Sequence, residues 1–140
     1  MVSTLLIAWC LLALTVTIHA AGLATMLRRA SRLPATRFWP MTRRLVRVAW
    51  WLLLLHLAEI SVWALFYWWQ KCLPDLESSF YFSAVTYSTV GYGDLVLPPE
   101  WRMVGAVEGL TGILMCGLST GFFFALASRM YGARAKANQT

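Results

Sequence analysis

The run Thr89-Val90-Gly91-Tyr92-Gly93-Asp94 decides how the rest of this chain is read. It follows a polar-aromatic stretch, Ser78 to Ser88, and lies between two long apolar segments. A turn would accept Gly-Tyr-Gly, but it needs neither Thr-Val before it nor an apolar segment on each side. Glycines at alternate positions permit left-handed backbone angles that a Cβ disfavours, so successive carbonyls are able to point one way. Four copies facing one another would make rings of carbonyl oxygens, with the Thr89 hydroxyl adding a further ring. Such rings replace the water around a dehydrated potassium ion.

Working outward, Ser78 to Ser88 is too short and too polar to span a bilayer, so it is expected as a re-entrant helix buried in protein. Ser78 or Ser79 is expected to cap its start. Its C-terminal end would aim partial negative charge at the loop that follows, which favours a cation there. Leu95 to Glu100, with Pro98-Pro99, leads into a long apolar helix from Trp101 to Ala127 that carries Gly105, Gly109, Gly112, Gly117 and Gly121. This small-residue pattern lets helices approach closely. Upstream, Val46 to Trp69 is a second long apolar helix whose end is crowded with Trp63, Phe66, Tyr67, Trp68 and Trp69, one half of an aromatic belt. Val2 to Leu27 is a third apolar stretch. It has no basic leader region and is longer than the ~7 to 15 residues of a signal-peptide core, so it is expected to be a retained helix.

The Thr89–Asp94 motif resembles the signature of the potassium channel pore-domain family, and the resemblance extends through the helices around it, roughly from Val48 to Ala127. It implies an all-α membrane protein with three transmembrane helices, a re-entrant pore helix, a selectivity filter and a tetrameric pore. The carbonyls of Thr89, Val90, Gly91 and Tyr92, with Gly93 completing the motif, would then bind K+. Asp94 would sit at the outer mouth, braced by Tyr81. Two positions depart from the pattern of many relatives: Val85 stands where some carry a glutamate behind the filter, and Phe82 where many carry an indole. Thr86 is therefore expected as the partner of Tyr92. Gly112 matches the hinge glycine of the inner helix. Steps of four from it place Cys116, Thr120 and Phe124 on one face, expected to line a cavity, with Phe122 to Phe124 as a hydrophobic constriction that gates by dewetting.

Composition agrees with a bilayer as solvent. The 140 residues are 59% hydrophobic and 13% charged, about half the ~25% charged share of a soluble domain. A formal charge of +6 would suit nucleic acid were it spread over a surface, but it is segregated. Arg28, Arg29, Arg32, Arg37, Arg43, Arg44 and Arg47 lie in one connector and Arg129, Arg134 and Lys136 in the C-terminal segment. By the positive-inside rule both are cytoplasmic, which puts the N-terminus and the mouth outside, in a multi-pass protein of the cell membrane. The arginines precede the apolar run rather than recurring at every third position inside it, so they do not form a voltage sensor. The expected division is an N-terminal transmembrane helix at 1–29, a basic connector at 30–47, a pore domain at 48–127 and a cytoplasmic tail at 128–140.

Cys10, Cys72 and Cys116 are scattered and show no metal-binding or disulfide spacing. No nucleophile-base pairing appears, so no enzyme is expected, and no cofactor beyond K+ as permeant ion. The expected partners are three further copies of the chain and the lipid bilayer, without nucleic acid or a soluble partner. Buried ionisable groups carry the alternatives. Glu59 and Glu108 lie at similar depths and are expected to meet, with His56 one turn from Glu59. They read as hydrogen-bonded glue between helices. A titrating histidine among them would also make flux respond between about pH 5 and 8, and the same carboxylates would serve a small proton-coupled cation transporter. A non-conducting accessory channel subunit is a third reading. His19 is expected to be a packed polar residue without chemistry.

Overall fold

The computed structural model describes residues 2–30 and 38–137. Among the described residues are four α-helices, α1 (Val2–Ala30), α2 (Phe38–Trp69), α3 (Leu76–Tyr87) and α4 (Arg102–Ala137), with a 3-10 turn at Pro99–Trp101 before α4. The fold is all-α, and α1, α2 and α4 each contain a span long and apolar enough to cross a membrane. At ~1.5 Å per residue, the 36 residues of α4 exceed the ~30 Å hydrocarbon layer by several turns.

Two clusters of buried side chains show how the helices run. Ala8 near the start of α1 shares one cluster with Trp63 and Tyr67 near the end of α2, Tyr87 at the end of α3, and Val104 near the start of α4. Met26 near the end of α1 shares the other with Val48 and Leu52, against which Phe122, Phe123 and Leu126 of α4 pack. Consecutive long helices are therefore antiparallel, and the start of α1 lies at the same end of the bundle as α3 and the Thr89–Asp94 loop. Trp63 Nε1 donates to Thr15 Oγ1 at 3.1 Å, a polar clasp between α1 and α2.

Three helix ends differ from those expected. α2 begins at Phe38 rather than Val46: Pro40 falls in its first turn, where a missing N–H costs nothing, and arginines are good helix formers. The rest of the expected connector, residues 31–37 with Arg32, Pro34 and Arg37, lies outside the described residues. α4 continues through most of the segment expected as a tail, because nothing from Ser128 to Ala137 breaks a helix and a lone Gly132 costs only about 1 kcal/mol relative to alanine. The N-cap of α3 is Asp75 rather than Ser78 or Ser79: its side chain accepts from the Ser78 N–H at 2.7 Å, so the helix starts at Leu76. That bond holds the Asp75 carboxyl below the usual aspartate range.

Candidate functional site

The Thr89–Asp94 segment hangs from the C-terminal end of α3. With the helix stopping at Tyr87, the carbonyl of Val85 accepts from both Val90 N at 3.0 Å and Gly91 N at 3.2 Å. Beyond that anchor the backbone alternates. Thr89, Gly91 and Gly93 have φ of +62°, +54° and +76°, and they are separated by residues of ordinary φ. Left-handed angles at every second residue turn successive carbonyls toward one side. Gly91 and Gly93 adopt them freely, whereas Thr89 does so against the preference of its Cβ. Residues 88–94 are all exposed on the single chain, Tyr92 at 71% and Val90 at 53%.

Behind this segment is a cavity of about 190 Å³, lined by Tyr81, Phe82, Val85 and Thr86 of α3 and by Gly91 to Leu95. Tyr81 Oη donates to Asp94 Oδ2 at 2.7 Å, as expected, and the Leu95 N–H reaches Asp94 Oδ1 at 3.1 Å. The Tyr81 hydroxyl holds the Asp94 carboxyl below the usual aspartate range, and Asp94 in turn pushes the Tyr81 hydroxyl up. Thr86 and Tyr92 line the same cavity, yet no hydrogen bond joins them among the described residues. Tyr92 is largely exposed on the single chain. Phe82 meets Tyr67 of α2 edge-on at 5.4 Å, and thus packs the helix against the bundle.

The opposite face of α3 carries buried Ser79, Ser83 and Tyr87, spaced one turn apart. Two fully buried glutamates grip successive turns of this face. Glu108 of α4 is held at Oε2 by the Tyr67 hydroxyl at 2.7 Å and at Oε1 by Ser83 Oγ, which also lies 3.0 Å from the Ile60 carbonyl. Glu59 of α2 takes the Tyr87 hydroxyl at Oε2 and His19 Nδ1 of α1 at Oε1, the latter at 2.8 Å. His56 lies beside this pair, with Nδ1 at 3.1 Å from Tyr87 Oη and 3.5 Å from Glu59 Oε2. Glu59 and Glu108 do not meet as expected. Similar depth does not set direction about the helix axis, and each carboxylate turns to a different rung of α3.

His19 is a packed polar residue, as expected, but its partners could not be read from the sequence. It is 1% exposed and joins α1 to Glu59, while its Nε2 lies 3.4 Å from Ser119 Oγ of α4. The ligand atoms of His19, His56 and Glu59 lie within 4.8 Å of one another, close enough to share an ion, yet each is already engaged by a hydrogen-bond partner in the cluster. The cluster is closed by these hydrogen bonds.

On α4, Cys116, Thr120 and Phe124 are all exposed on the single chain, Phe124 at 72%. Phe122 and Phe123 instead pack into the chain's own core against α1 and α2, which leaves Phe124 alone of the three as a candidate constriction. Gly112 has a more immediate duty than a hinge. A Cβ there would lie 1.9 Å from the Tyr87 carbonyl oxygen, so glycine is what allows α4 to cross the end of α3. The cysteines are unbridged, and burial pushes the Cys72 thiol up.

Comparison with known families returns a model described as an ion channel, matching residues 52–129, more than half of the chain. The match runs from α2 through α3 and the Thr89–Asp94 segment into α4, and it leaves α1 outside. No curated protein matches the chain, and no solved structure does.

Proposed function

Because the chain belongs to the ion-channel family whose model covers residues 52–129, we propose that it is a potassium-selective channel whose conducting unit is a homotetramer. The observation that carries this reading is the alternation of φ at Thr89, Gly91 and Gly93, suspended from the Val85 carbonyl at the end of a short helix. Thr89, Val90, Gly91 and Tyr92 supply carbonyl rings that replace the hydration shell of K+, and the Thr89 hydroxyl supplies one more. One chain offers a quarter of such a site, and the exposure of residues 88–94 is what a quarter would show. Partial charge at the C-terminal end of α3 favours a cation at the inner side of the rings, while Asp94 places a carboxylate at the mouth.

Cys116, Thr120 and Phe124 line the cavity below the filter in this reading. The N-terminus and Asp94 lie outside and the basic ends of α1, α2 and α4 lie in the cytoplasm of a cell-membrane protein. The transporter reading loses its main support, since Glu59 and Glu108 are both engaged with α3 and offer no unpartnered carboxylate to a substrate. Conduction by the chain alone separates a channel from an accessory subunit. The test is ion flux from liposomes holding only this protein: potassium should pass, barium should block, and Gly91→Ala should abolish the flux, because a Cβ disfavours φ of +54°. Wild-type flux in folded Gly91→Ala would remove the filter from this segment.

A further inference from the structure

The last turn of α3 sets where the filter lies, because Thr86 O accepts from Thr89 N–H and Val85 O from Val90 and Gly91 N–H. That turn is anchored to the bundle through Tyr87. Tyr87 is 2% exposed, its hydroxyl bonds Glu59 Oε2, and its backbone carbonyl abuts Gly112. Glu59 is wholly buried on α2, so the direction of its carboxyl group depends on what occupies its other oxygen. A buried carboxylate oxygen without a donor is costly and reorients to find one. The donor is His19 Nδ1, from a helix that lies outside the matched channel region. α1 packs on α2 and α4, so the chain of bonds from His19 through Glu59 to Tyr87 is its polar route to the pore helix. His19 is itself placed by Ser119 near its second ring nitrogen, and His56 sits between its ring and that of Tyr87, 5.5 Å from the first and 5.9 Å from the second. Four helices thus meet in one hydrogen-bonded cluster around Glu59, on the face of α3 opposite the filter.

We propose that His19 of α1 is a positioning residue for the ion filter, acting through Glu59 on Tyr87 to fix the end of the pore helix. The proposal rests on reading Thr89–Gly93 as the filter. It gives the extra helix a part in conduction: α1 supplies, from behind, a brace for the pore helix at the rung where Tyr87 leaves it.

The test compares variants of the full chain in planar bilayers, reading the decay of potassium current, the potassium-to-sodium preference and tetramer integrity. His19→Leu leaves Glu59 Oε1 without its donor and should hasten current decay about fivefold or more. Tyr87→Phe should do the same. The double variant should be no worse than either single one, since both cut the same chain of contacts. His19→Asn is the decisive rescue. Its amide nitrogen falls near the place of Nδ1 and should restore wild-type decay, whereas His19→Gln, which reaches toward the place of Nε2, should not.

A helix that merely glues the bundle would respond to His19→Leu with a less stable tetramer and unchanged decay, and that result would overturn the proposal. So would His19→Asn behaving like His19→Gln, a comparison that stands even if His19→Leu fails to assemble. Multiplying effects in the double variant would place His19 and Tyr87 on separate routes and overturn it too. Loss of potassium preference in the wild-type chain would instead bring down the filter reading, and this proposal with it.

Discussion

A carboxylate that accepts a hydrogen bond in the folded chain gives up its proton more readily than one in water, and Asp94 accepts from the Tyr81 hydroxyl. Its proton affinity is lowered by that bond, while that of Tyr81 is raised. The sign follows from the direction. A depressed carboxylate contributes above the ordinary aspartate value of about 3.9, and its contribution disappears only as pH falls through the still lower folded value. The Tyr81–Asp94 contact is therefore intact across the range in which histidines titrate. Asp94→Asn, which keeps an acceptor for Tyr81, should leave the shape of the flux profile between about pH 5 and 8 unchanged. Liposome flux at stepped external pH checks this, and a profile flattened by Asp94→Asn would contradict it. The pairing of Tyr81 with Asp94 was expected from the resemblance to the potassium channel pore-domain family. His19 with Glu59 was not, since the two lie 40 positions apart on different helices. Only the rotation of α1 in its groove reveals that they face each other.

Helices meet where backbones are allowed to touch, and α4 crosses the end of α3 at Gly112. An added Cβ would lie 1.9 Å from Tyr87 O and 2.7 Å from Tyr87 C, and these are backbone atoms that cannot swing aside. Gly112→Ala should therefore destabilise the protein by at least the ~1–3 kcal/mol of an overpacked core. Gly132→Ala meets open space and should be neutral or gain up to about 1 kcal/mol of helix propensity. Thermal unfolding in detergent compares the two, and a wild-type midpoint for Gly112→Ala would contradict the packing described. The small-residue pattern of α4 announced close approach without saying which glycine makes it. Helix bounds were legible where the apolar pattern stops, as at Trp69, and illegible at Asp75, which caps α3 ahead of the serines expected to, and at Phe38, where arginines were taken for a connector although a solvated helix extension accepts them. The two buried glutamates were legible as a pair of unusual groups. Their destinations, successive rungs of α3, depend on helix rotation that periodicity in uniformly apolar segments does not encode.

At the scale of the whole molecule, the described chain is a bundle of three long helices around one short helix, with its most specific sequence left exposed at one end. Antiparallel packing puts the start of α1 at that same end. If the basic ends are cytoplasmic, a tag at Met1 should be labelled by an impermeant reagent on intact cells, and labelling only after permeabilisation would reverse the orientation. The family match covers the pore-forming helices and stops short of α1. Through Thr15 with Trp63 and His19 with Glu59, the chain fastens that helix to the rest. The central claim is that Thr89 to Gly93 replaces the water around K+ better than that around Na+. The most direct test is the reversal potential of the purified chain in a planar bilayer with potassium on one side and sodium on the other. A potential lying strongly toward that of potassium is the predicted result, and one near zero would contradict it.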